Sequence, residues 1–197
     1  MPQIKKVCVF CGSNRGALPV FAKAARELAQ TLAQNKMTLV YGGANVGLMG
    51  ELANTLLDLG GEVTGVIPKH LLEKEIAHKG LTELHVVDSL HERKALMAEL
   101  ADAFVLLPGG TGSLEEFFEI LTWAQLGIHA KPAGILNVDH YFDKLIHFLQ
   151  HTVAMEFVKP AHLNMIMVEK NSTALLKMFS TYVPTKEIKW IKNTADA

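Results

Sequence analysis

Seven short runs of apolar, largely β-branched residues recur along the chain, and a segment with apolar residues at helical spacing follows nearly every one. The strand-like runs cover residues 6–11, 38–41, 62–67, 84–87, 103–107, 133–137 and 165–168. The helix-period segments cover 19–34, 48–59, 90–100, 114–126, 141–151 and 173–180. Few folds accommodate such a pattern. Most of the runs are continuous rather than alternating, so both of their faces must be covered, as in a parallel sheet with helices on each side. Right-handed crossovers reduce the remaining topologies further. The expectation is an α/β fold, a Rossmann-like doubly wound parallel sheet with helices on both faces, in one domain over residues 1–183. A polar C-terminal tail, 184–197, comes after it.

In a sheet of this kind ligands sit beyond the carboxyl ends of the strands, where the strand order reverses. The turns after the strands are therefore the informative segments. Gly12-Ser13-Asn14-Arg15-Gly16 comes after the first, and Gly42-Gly43-Ala44-Asn45-Val46-Gly47 after the second. Ser89-Leu90-His91-Glu92-Arg93-Lys94 comes after the fourth, and Pro108-Gly109-Gly110-Thr111-Gly112-Ser113 after the fifth. With an expected strand order of 3-2-1-4-5, the first and fourth turns flank the crevice and the second and fifth lie beside them.

A glycine-rich turn lets backbone N–H groups approach a phosphate, and the helix it opens adds the positive end of its dipole. The turn from Gly109 to Ser113 has that character. It is not a P-loop, which needs a Lys-Ser/Thr pair, and no turn reads Gly-x-Gly-x-x-Gly. Glu62 lies about twenty residues past Gly42, where a dinucleotide fold places its ribose-binding acid, but the glycine pattern is missing. The turns point to a mononucleotide or sugar phosphate. The blander reading is that the glycines only supply positive φ in tight turns.

Glu116 has two readings. Ser113-x-x-Glu116 has the spacing of a capping box, as does Ser89-x-x-Glu92. Alternatively, Glu116 is a base or cation-stabilising carboxylate beside the anion turn, facing a sugar or a water. Arg93 and Lys94, in the first turn of their helix, oppose its dipole. An anion in the crevice would justify them; a surface ion pair with Glu92 or Glu99 is the other reading.

Nineteen basic against twenty acidic residues give a net charge of −1, without the basic excess of a nucleic-acid binder. No apolar run approaches the ~20 residues of a membrane span, and the N-terminus has no cleavage-site pattern of a signal peptide. The expectation is a cytoplasmic protein that binds neither nucleic acid nor membrane. Cys8 and Cys11 have C-x-x-C spacing, but on a strand they point to opposite faces and read as buried thiols. The nine histidines form no ligand pattern, so no metal is expected.

The motifs resemble those of the LOG (Lonely Guy) family of cytokinin riboside 5′-monophosphate phosphoribohydrolases, some of which carry the older label lysine decarboxylase. PGGTGSLEE (108–116) is similar to the family signature P-G-G-x-G-T-x-x-E. YGGANVGLMG (41–50), GVIPKHL (65–71), HERKALM (91–97) and LTWAQLGIHAKPAGILNVDHYFD (121–143) are similar to further family segments. The resemblance implies a Rossmann-like homodimer that hydrolyses the N-glycosidic bond of an adenosine-type 5′-monophosphate without a cofactor. It implies catalytic roles for Arg93 and Glu116. Lys94 and the stretch Gly109, Gly110, Thr111, Gly112, Ser113, Leu114, Glu115 and Glu116 match substrate-binding positions, and Glu75 and Thr122 match two more. Ser113 replaces the signature threonine, and Ala44 and Asn45 vary the second glycine turn.

Overall fold

In a computed structural model, which describes residues 4–72 and 77–185, the strands form one seven-stranded sheet in which every pairing is parallel. The strands are β1 (Lys6–Phe10), β2 (Thr38–Tyr41), β3 (Val63–Pro68), β4 (Glu83–Val87), β5 (Ala103–Leu106), β6 (Ala133–Leu136) and β7 (Ile166–Glu169). The helices are α1 (Pro19–Gln34), α2 (Gly47–Asp58), α3 (Lys69–Leu72), α4 (Leu90–Leu100), α5 (Thr111–Gln125), α6 (Asp143–Ala154), α7 (Pro160–Leu163) and α8 (Ser172–Ser180).

Two apolar layers hold the sheet. Helices α1, α2 and α8 cover one face with Leu28, Leu32, Leu52, Leu56 and Leu175. Helices α4 and α5 cover the other with Met97, Phe117 and Ile120 against Phe10 and Phe104. Cys11 belongs to the first layer and Cys8 to the second, both as free buried thiols, as the strand periodicity requires. The two edge strands are less covered than the five between them, with Glu83, Leu84 and Val86 exposed on β4 and Val168 on β7, because each has a neighbour on one side only.

The strand order is β4-β3-β2-β1-β5-β6-β7, which corrects the expected 3-2-1-4-5. Among the described residues the connection from β3 to β4 holds one helix, the four-residue α3, and β4 is laid down beside β3, continuing outward. Helix α4 then returns across the sheet, packing on β3, β2 and β1, and delivers β5 next to β1. The order therefore reverses between β1 and β5, so the first and fifth turns flank the crevice. Only the described beginning of the 184–197 tail, Pro184 and Thr185, can be placed; the rest lies outside the described residues.

Candidate active site

The turns after β1 and β5 touch. The Gly12 N–H donates to the Pro108 carbonyl at 3.0 Å. A Cβ on Gly109 would lie 2.9 Å from the Gly12 nitrogen and collide with Ser113 Oγ, so this glycine is needed for packing. Gly110 and Gly112 are different: a Cβ on either would meet nothing within 4 Å. They leave open space over the start of α5.

That start has no side-chain cap. Gly110 is the N-cap, no carboxylate stands in the first turn, and the first intrahelical bond runs from Leu114 N–H to the Gly110 carbonyl at 3.2 Å. The N–H groups of Thr111, Gly112 and Ser113 thus precede the helical ladder and face the crevice rim, where the dipole is positive. Because α5 begins at Thr111, Ser113 lies inside the helix. The Ser113-x-x-Glu116 spacing is therefore not a capping box, and Glu116 cannot reach back as one. Glu116 stands ~7.5 Å further along the axis, on the scale of a ribose 5-phosphate. The other box does cap: Ser89 Oγ accepts from Glu92 N–H at 3.1 Å, and Glu92 Oε2 accepts from Asp88 N–H at 2.9 Å.

Arg93 extends from the capped α4 under the second glycine turn. It is only 7% exposed. Its Nη2 donates to the Gly42 carbonyl at 3.4 Å and stands 3.7 Å from Glu116 Oε1. Gly42 leaves room for this: a Cβ there would collide with Nη2. The buried Nε of Arg93 has no hydrogen-bond partner among the described residues. An unsatisfied buried donor of this kind costs about 1–3 kcal/mol, which a ligand oxygen would recover. The alternative pairing of Arg93 with Glu92 or Glu99 is thereby replaced by a pairing with Glu116.

Lys94 is placed differently from Arg93. Its ammonium bonds Glu115 and Glu119, the latter at 3.0 Å. Burial alone would depress its pKa, but the hydrogen bonds it donates to the two carboxylates, with their charges, outweigh that and raise it. Lys94 clamps α4 to α5. Burial, reinforced by the Glu116 charge, pushes both the Cys8 and Cys11 thiols up, so neither is a poised nucleophile.

Tyr141, which lies in the family-like segment 121–143 but was not among the expected site residues, completes the crevice. Its hydroxyl donates to the Gly109 carbonyl at 2.8 Å and its ring packs edge-on against Phe21. Asp139 and His140 sit at φ 47° and 61°, conformations that strain non-glycine residues, and this bend carries Tyr141 back to the fifth turn. The sequence signals were its place shortly after β6 and inside the segment 121–143. Ser13, Asn14, Arg15, Phe21, Gly110 and Tyr141 line a cleft of about 260 Å³ there.

The remaining expected residues divide. Leu114 and Glu115 come after Ser113 on α5, with Glu115 turned to Lys94. Thr122 is some 16 Å along α5 from Thr111, and its hydroxyl bonds the Phe118 carbonyl. It is not part of the Arg93–Glu116 cluster. Glu75 lies outside the described residues. Glu62 precedes β3 at the far end of the sheet and accepts from Thr38 Oγ1 at 3.0 Å, which removes it from any ribose role at this rim.

Residues 49–179 match a family model described as possible lysine decarboxylase. A probable cytokinin riboside 5′-monophosphate phosphoribohydrolase of Oryza sativa subsp. japonica is 47% identical over 92% of this chain and 80% of its own. A cytokinin riboside 5′-monophosphate phosphoribohydrolase of Rhodococcoides fascians is 50% identical over 86% of each chain. The chain belongs to the LOG family. Among solved structures, the molybdenum cofactor carrier protein of Chlamydomonas reinhardtii superposes on this LOG-family chain with a TM-score of 0.68, covering 91% of it and 100% of the carrier. At 18% identity that likeness concerns the fold alone.

Proposed function

We propose that the chain hydrolyses the N-glycosidic bond of N6-modified adenosine 5′-monophosphates, releasing free base and ribose 5-phosphate. The observation that carries this reading is the Arg93–Glu116 pair standing about one turn inside α5 from its open N-terminus. The phosphate binds the N–H groups of Thr111, Gly112 and Ser113, with the Thr111 hydroxyl beside them. This sets C1′ of the ribose near Glu116. As the C1′–N bond breaks, positive charge spreads over C1′ and the ring oxygen, and the Glu116 carboxylate stabilises it. Glu116 then takes the proton of a water whose oxygen bonds C1′, and the departing base gains a proton. Arg93 holds Glu116 in line and offers its unpaired Nε to the nucleotide.

Plain AMP falls within the same chemistry, because nothing in these contacts concerns the N6 substituent. The working unit in this reading is a cytoplasmic homodimer. Thr122, remote from Glu116's end of the helix in its own chain, then serves the partner's site. The alternative, a non-catalytic nucleotide or molybdenum-cofactor carrier on the same fold, rests on fold likeness below 20% identity, whereas relatives at 42–50% identity support hydrolysis. Lysine decarboxylation finds no support in Lys94, whose ammonium two carboxylates keep protonated, the reverse of what a Schiff-base lysine needs. Glu116→Gln is nearly isosteric and removes the charge and the base. It should lower base release by ~10²-fold or more, read as free base and ribose 5-phosphate. Undiminished release would refute the role of Glu116.

A further inference from the structure

We propose that His78 is a positioning residue of this site, holding the second glycine turn in the place from which Gly42 receives Arg93. His78 is buried, 7% exposed, and no part of the chemistry above uses it. Its ring links two segments. Nδ1 accepts from Gly80 N–H at 3.0 Å, so the ring proton is on Nε2, which donates to Asn54 Oδ1 at 2.8 Å. Asn54, on α2, passes the chain on: its Nδ2 donates to Asn45 Oδ1 at 2.8 Å. The backbone adds to this, with His78 N–H donating to the Gly43 carbonyl at 2.9 Å and Ala77 bridging antiparallel to Ala44.

Residues 43–45 are thus gripped from both sides, by the strap 77–80 and by α2 through Asn54. Gly43, with φ +82°, holds this turn in a conformation that favours glycine. Directly before it is Gly42, whose carbonyl is the acceptor of Arg93 Nη2 and whose missing side chain leaves the guanidinium its room. A turn free to shift would carry that acceptor away and release Arg93 from its place opposite Glu116. A misplacement of about 1 Å at a reacting centre can cost up to ~10²-fold.

The inference rests on the proposed glycosidic hydrolysis, and the experiment separates the two. kcat and KM for release of base from N6-isopentenyl-AMP are measured for the wild type, H78A, H78Q, N54A and the H78A/N54A double variant. H78A and N54A should each lower kcat about 10-fold with KM changed less than twofold, and the double variant should fall no further than either alone. H78Q, whose amide can still donate to Asn54, should recover most of the loss. In an Arg93→Lys background H78A should cost nothing more, because the acceptor then has no fork to hold. A wild-type chain that releases no base from this substrate overturns the hydrolase reading and this role with it. An active wild type with H78A and N54A at full kcat, or with losses that multiply in either double background, overturns the positioning role alone.

Discussion

Helices α4 and α5 open on the same rim of the sheet and carry the same Ser-x-x-Glu spacing, yet they begin in opposite ways. At α4 the serine is the N-cap in an extended conformation, its hydroxyl accepts Glu92 N–H, and Glu92 reaches back to Asp88. At α5 the cap is a glycine, the serine is already helical, and the glutamate stands in the second turn opposite Arg93. One helix end is closed by its own side chains and is structural. The other has no side-chain cap, its carboxylates begin only in the second turn, and the proposed function gives its free N–H groups to a phosphate. A carboxylate any nearer would repel a phosphate.

Closing the open end should have the largest effect. Gly110 has an ordinary φ of −91° and open space around its Cα, so Gly110→Asp fits and supplies a good N-cap. The variant should melt no lower than wild type, while KM for the monophosphate rises at least ~10-fold, since the new carboxylate occupies the phosphate position. An unchanged KM would mean that α5 is not the anion site. Opening the closed end should do the reverse. Ser89→Ala should cost about 1 kcal/mol in denaturant unfolding and leave kcat/KM within about threefold of wild type. A catalytic loss as large as that of Gly110→Asp would erase the distinction between the two ends.

The far ends of the same helices provide a smaller test. Lys131 Nζ caps α4 by donating to the Ala98 carbonyl at 2.7 Å, whereas at α5 His129 Nε2 donates to the Ile120 carbonyl at 3.0 Å. Lys131 N–H donates to His129 Nδ1, so the ring is neutral. Burial depresses the pKa of His129 from its ordinary 6.5, against the pull of the Ile120 bond, and the Lys131 charge adds to the depression; burial likewise lowers His78. A histidine that binds its proton less readily folded than unfolded leaves the unfolded chain to take up protons first. Stability should be level above about pH 6.5 and decline as the pH falls below it, and the decline should be shallower in His129→Gln, measured by thermal melts between pH 8 and 5.

The architecture was legible in the chain because its signal is periodic. Continuous apolar runs such as 103–107 can only be covered strands, and their alternation with helices fixes a parallel sheet. The strand order was not legible, because it depends on how far one connection can travel. The short 69–82 link left β4 at the edge, and α4 made the long return instead. Arg93, Glu116 and the Gly109–Ser113 turn were readable as a set from residue type and from the resemblance to LOG proteins. Whether Glu116 capped Ser113 depended on a helix start three residues earlier than the S-x-x-E spacing suggests. Lys94 read as an anion-binding partner of Arg93, but the next helix holds two carboxylates against it. Tyr141, although inside the segment 121–143, and His78 reach glycine turns more than 30 residues away in sequence, and neither residue type nor spacing announces such contacts.

The most direct test compares one substrate with and without its phosphate. N6-isopentenyl-AMP and the corresponding nucleoside share the base, the ribose and the bond to be broken, and differ only in the group assigned to the open end of α5. An anion site there requires that kcat/KM for base release be at least ~10²-fold higher for the monophosphate, and that this preference largely disappear in Gly110→Asp. Equal turnover of nucleoside and monophosphate by the wild-type chain would contradict it.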